Sequence, residues 1–183
     1  MFVDRYVRAA LWVIGALAPA APLVAQAGMT PKSIMLVDWE RQKKNVLAYI
    51  DVMPDSARTF APTPGVRTFA QQVDHFVGTN AEVTALVLHD LKASPSLGDS
   101  AAYLHRKAAL KEYATKSYDY LIDALRTATP AQLAKSYTVY NQPAAPAWRW
   151  LELSREHATW TFGQLIPYLR LNKVTPPAYD MPF

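Results

Sequence analysis

The sequence predicts an all-α fold, a four-helix bundle, and three observations carry that prediction. Four long stretches repeat apolar residues at alternating spacings of three and four, the rhythm of a helix with one buried face. Proline-rich segments separate those stretches. The apolar–polar alternation of a strand is missing almost throughout, and only "SYTVY", 136 to 140, could form a short one.

The first helix is expected over 31–53. Thr30 is a good N-cap and Pro31 suits the first helical position, where its missing amide costs nothing. Leu36, Trp39, Val46, Ile50 and Met53 share one face, and Pro54 ends the run. The connection "TFAPTPGVR", 59 to 67, holds two prolines and a glycine and cannot be helical.

The second helix is expected over 68–92, opened by a capping box of Thr68 with Gln71. Phe69, Val73, Phe76, Asn80, Val83 and Val87 form its seam, which stops near "ASPSLGDS", 93 to 100. A third helix over 102–127 carries Leu110, Ala114, Ser117, Leu121 and Ala124 in the same rhythm. The segment "TPAQLAKSYTVYNQPAAP" then reads as a loop or short extended piece. The last helix is expected over 147–171. Inside it, Pro167 removes the amide that would bond the Gly163 carbonyl, so a bend is expected beside Gln164.

Residues 1–27 read as a signal peptide rather than as part of the fold. Arg5 and Arg8 precede an apolar run from 9 to 25, and "AQA" before Gly28 suits a small-residue cleavage site. A membrane anchor is the rival reading. The run is broken by Pro19 and Pro22 and falls short of the ~20 residues a span needs. Cleavage leaves a single bundle domain, 28–183, periplasmic or secreted, with no stable membrane anchor. The chain has no cysteine, which excludes disulfides, a lipoprotein anchor and thiolate chemistry.

Net charge is +4 over the 183 residues and +3 without the leader, with 17 basic and 14 acidic side chains remaining. The excess is scattered. "RQKK", 41 to 44, reads as a solvated helix face, so nucleic acid is not an expected partner.

Motifs exclude several chemistries. The sequence has no G-x-x-x-x-G-K-[ST], no G-x-G-x-x-G and no H-E-x-x-H. It has no Glu-x-x-His pair for a carboxylate-bridged di-iron centre, and "GDS" at 98 to 100 lacks the pattern of a serine nucleophile elbow.

Four histidines remain. His89 and His105, beside Asp90 and Arg106 near helix ends, are expected to be exposed and ordinary. At ~100° per residue, His157 shares a face with Trp150, Leu153, Thr161, Gln164, Tyr168 and Leu171. His75 lies at the flank of its helix near Gln72, Thr79 and Leu86, where a bundle helix borders a groove. A histidine so placed can be a hydrogen-bonded structural residue or a ligand, and spacing alone does not decide.

"FAQQVDHFVGTN" (69 to 80), "KSYDYLIDAL" (116 to 125) and "HATWTFGQLIPYLRLNKVTPP" (157 to 176) resemble the DinB-like, YfiT-type proteins. The resemblance extends to residues 38 to 69, nearly the whole mature chain in order. It implies a four-helix bundle, often a homodimer, in which three histidines commonly hold a divalent metal. One of the three lies on the second helix and two are spaced H-x-x-x-H on the last. Relatives include thiol-dependent S-transferases and isomerases that act on small molecules.

Carried over by position, His75 matches the first metal histidine and His157 the second. The third falls at Thr161, and a threonine hydroxyl is a poor ligand where imidazole suits zinc or nickel. Two classes of function follow. In one, an exported metal-dependent hydrolase or transferase binds zinc or nickel weakly through His75 and His157, with Thr161 and Gln164 lining the pocket. In the other, no metal is held, and the bundle binds a small molecule or is purely structural.

Overall fold

The computed structural model describes residues 29–180 of the chain, so the leader expected over 1–27 lies outside the described residues. Among the described residues, seven α-helices, one 3-10 turn and one minimal hairpin follow in order: α1 Pro31–Val52, the 3-10 turn Asp55–Ala57, α2 Phe69–Leu88, α3 Ser100–Tyr103, α4 Lys107–Thr127, α5 Pro130–Ala134, β1 Ser136–Tyr137, β2 Ala145–Pro146, α6 Ala147–Gly163 and α7 Leu165–Leu171. The fold is all-α apart from that hairpin. Among the described residues no helix is long and apolar enough to cross a membrane.

The starts of α1 and α2 follow the local chemistry. Thr30 accepts the Ser33 amide with Pro31 at the first helical position, and Thr68 and Gln71 form the full capping box. Helix α2 ends at Leu88, earlier than expected. Asp90 turns the chain at a φ of 54°, and the Leu91 amide folds back onto the Ala85 carbonyl at 2.9 Å.

The expected third helix is two helices. Asp99 caps the single turn of α3, and the chain then straightens at Arg106, φ −134°, before α4 begins. The segment after α4 holds a helix that the sequence reading missed, α5, with its own Thr129–Gln132 capping box. The short strand considered at "SYTVY" exists over two residues, and Ser136 and Tyr137 pair antiparallel with Pro146 and Ala145.

Helix α1 packs on α4, α4 on α2, and α2 on α6, with a lighter contact between α6 and α1. Between them lie Trp39, Val46, Ile50, Phe69, Val73, Phe76, Leu110, Tyr118, Leu121 and Leu151, all essentially without solvent exposure. These are the seam positions of the four long stretches and their neighbours. Burying such side chains contributes about 1.5–3 kcal/mol each relative to exposure, which is why pattern outweighs the modest helix propensity of Val and Phe.

The last helix breaks where Pro167 leads one to expect it. Gln164 separates α6 from α7, and its amide reaches the Thr161 carbonyl at 3.2 Å, one residue short of the α-helical spacing. Pro167 then occupies the first turn of α7, where an amide would have no intrahelical partner. Leu165 and Leu169 are fully buried and Tyr168 nearly so, which anchors the short helix after the break.

Candidate functional site

Helices α2 and α6 run antiparallel, and one face of each borders a groove of about 460 Å³. On α2, Val73, Phe76, Val77 and Asn80 turn into the core. The positions at its flank, His75, Thr79 and Glu82, recur at i, i+4 and i+7 and line the groove. On α6, Trp150, Leu153, Ser154 and His157 do the same. Tyr140, from the turn between β1 and β2, reaches over one end.

The two histidines that the sequence singled out meet here. Their Nε2 atoms stand 3.2 Å apart, with the rings edge to face at 85°. Either Nε2–H can donate to the other's lone pair, so the contact requires at least one neutral ring. Burial lowers the pKa of both imidazoles from the ordinary value, and the Arg67 cation pushes each the same way. For His75 the neighbouring His157 lowers it further while Asp74 opposes. Both rings are thereby biased towards the neutral form, which is also the form that binds metal.

The fit to a metal is partial. Two imidazole nitrogens on one tetrahedral zinc, each about 2.0–2.1 Å from the ion, stand about 3.3 Å apart, close to the observed 3.2 Å. Metal-binding histidines usually give their other ring N–H to a carboxylate or carbonyl. The Nδ1 of His157 is buried with no such partner. Among the described residues no cluster of three His, Cys, Asp or Glu side chains is placed to hold an ion. Water would have to complete any coordination shell.

Thr161 and Gln164 do not line this groove. Thr161 lies one turn beyond His157 and is buried, 3 % exposed. Gln72, one turn before His75 and also buried, donates its side-chain amide to Gln164 Oε1 at 2.8 Å and to the Thr161 carbonyl at 3.4 Å. Gln164 itself is exposed. Gln72 thus ties α2 to the main chain at Thr161 and to the Gln164 side chain, next to the position where a third imidazole would stand.

The family model of the DinB superfamily matches residues 38–166. The chain belongs to the DinB superfamily. Among solved structures, a DinB-like protein, YjoA, from Bacillus subtilis is 14 % identical with a TM-score of 0.65, over 81 % of this chain and 98 % of that one. A DinB-like protein from Bacillus cereus is 17 % identical with a TM-score of 0.64, over 80 % and 95 %. At such identities the likeness is one of fold. No curated protein matches the chain by sequence.

Three further groove residues of this DinB-superfamily protein matter chemically. Trp150 was legible on the His157 face. Glu82 had a signal in its spacing of seven from His75, which was not used. Tyr140 had none, because its turn has positive φ at both central residues, 52° at Tyr140 and 58° at Asn141. Asn-Gly is the usual mark of such a turn, not Tyr-Asn.

His89 and His105 are exposed, as expected, and His89 stacks on Tyr120 at 5.1 Å. A larger groove of about 720 Å³ lies between the start of α1 and α5, walled by Met35, Pro130, Leu133 and Trp148. It holds no histidine or carboxylate. The smaller groove is the one with chemistry in it.

Proposed function

We propose that this protein is an exported four-helix bundle that holds a divalent ion, zinc or nickel, weakly between His75 and His157 and acts as a hydrolase or transferase on a small molecule. The observation that carries the reading is the approach of two neutral-biased imidazoles to 3.2 Å at one end of an open groove. A bound ion would supply Lewis-acid polarisation of a substrate oxygen or activation of a nucleophile.

The chain's own residues do the rest. Buried Ser154 lines the groove and is held from behind by a 2.7 Å hydrogen bond to Asn80, and Val83, Trp150 and Leu153 give the walls an apolar surface that displaces water from a ligand. Two imidazoles are fewer than the three or four protein ligands of a usual zinc site, so affinity should be modest. Removal of residues 1–27 would free the mature domain, and self-association as a homodimer belongs to the same proposal.

A second reading has its own support. The 3.2 Å separation is also that of a plain hydrogen bond, and the third position holds a buried threonine in place of an imidazole. On that reading the groove binds a small molecule without metal. Zinc titration followed by calorimetry separates the two. Binding that His75→Ala and His157→Ala each abolish supports the metal reading. Absence of binding in the wild type, or binding unchanged in both variants, removes it.

A further inference from the structure

The groove has a second end. Glu82 stands seven residues beyond His75 on α2, about 10 Å along the helix axis. Trp150 stands seven residues before His157 on the antiparallel α6. Imidazole thus faces imidazole at one end, and a carboxylate faces an indole at the other, with Tyr140 above them.

Three observations bear on what the Glu82 end accepts. Among the described residues no Lys, Arg or His forms an ion pair with Glu82. Its partner is the Tyr140 hydroxyl, which donates to Oε2 at 2.9 Å. Second, two large aromatic side chains line the space beside this carboxylate. The Trp150 indole N–H is already given to the Tyr137 carbonyl at 2.8 Å, so this mostly buried side chain, 6 % exposed, lines the groove with apolar ring surface and no free donor. Third, Tyr140 holds a φ of 52°, unusual for a bulky residue. Strain of this kind persists where the surroundings enforce it, and it gathers at ligand sites. Among the residues that line the groove, Glu82 is the one carboxylate.

We infer that the Glu82 end binds an alkylammonium group. The carboxylate supplies the opposite charge, and the exposed Tyr140 ring supplies the electron-rich surface that attracts such cations, with buried Trp150 as the apolar wall behind it. Val83 and Leu153 flank the methylene chain that leads from the cation towards the imidazoles. This names the substrate class of the proposed site and rests on that proposal only for the chemistry at the histidine end.

The test uses choline and its uncharged isostere, 3,3-dimethylbutan-1-ol, titrated into the purified protein by calorimetry. Choline should bind at least about tenfold more tightly than the isostere, the scale of one desolvated cation–π contact. Glu82→Gln, which can still accept the Tyr140 hydroxyl and so keep the fold, should weaken choline by a similar factor and leave the isostere unaffected. His75→Ala should retain choline while changing any zinc binding, so failure of the metal reading would leave this result standing. Equal affinity for the two probes, choline binding indifferent to Glu82→Gln, or no choline binding at tens of millimolar would each overturn the inference.

Discussion

Gln72 and Thr161 are joined across the α2–α6 seam: the buried glutamine amide reaches the Thr161 carbonyl at 3.4 Å while bonding Gln164 Oε1 at 2.8 Å. The residue at the third position, Thr161, is itself buried, and its main chain is tied to a buried glutamine. A single substitution cannot simply add the missing ligand.

Thr161→His restores the i, i+4 imidazole pair with His157 on one helical face, but the new ring meets Gln72. Thr161→His alone should raise zinc affinity only slightly. Gln72→Ala/Thr161→His should raise it by at least tenfold, because three imidazoles then converge. Competition against a colorimetric chelator reads this directly. An equal affinity in wild type and double variant would show that the seam is not what limits the site.

The metal-free protein should lose stability in mild acid. Both imidazoles have pKa values lowered from 6.5 by burial and by Arg67. Below that value the unfolded chain takes up protons that the folded chain resists, so stability falls as pH falls, and above it the difference vanishes. Urea midpoints measured with chelator present should drop between about pH 6.5 and 5, and His75→Ala/His157→Ala should flatten that part of the curve. An unchanged slope in the double variant would assign the acid sensitivity to other groups.

Ser154 Oγ donates to Asn80 Oδ1 at 2.7 Å, and both residues are buried. The Asn80 side-chain nitrogen already lacks a partner. Ser154→Ala strips the oxygen of its donor as well and should cost about 1–3 kcal/mol, the desolvation penalty of an unpaired buried polar group. Denaturant unfolding measures it. A loss below a few tenths of a kcal/mol would mean that water replaces the hydroxyl.

Protein recovered from the exported fraction of its host should begin at or within a few residues of Gly28. Intact-mass spectrometry decides the matter, since retention of Met1 to Arg8 on the mature product would restore the anchored alternative.

The helices were legible where their causes are local. Thr30 with Pro31, and Thr68 with Gln71, mark helix starts within four residues of chain, and the seam from Phe69 to Val87 states which face is buried. The division of the third helix was not legible, because residues 102 to 106 have no proline or glycine to announce it. The turn at Leu104 and His105 and the extended Arg106 lay α3 against α4 instead of continuing one helix. The short α5 has a capping box of its own at Thr129 and Gln132, a local signal within a proline-rich segment whose composition otherwise reads as a loop.

At the site the division is sharper. The sequence by itself determined the four-stretch helical pattern, the flank position of His75, the inward face of His157 and the absence of a third histidine at Thr161. Only the tertiary structure decided that two histidines 82 positions apart touch, that Gln72 bonds the Thr161 carbonyl, and that the Tyr140 hydroxyl reaches Glu82. The reason is geometric. A helix face follows from the 3.6-residue period of one segment, whereas contact between faces depends on the register and rotation of α2 against α6, which the whole core sets through side chains scattered along the chain. The turn that delivers Tyr140 adds a backbone conformation that its own residues disfavour, so no local reading could have placed it there.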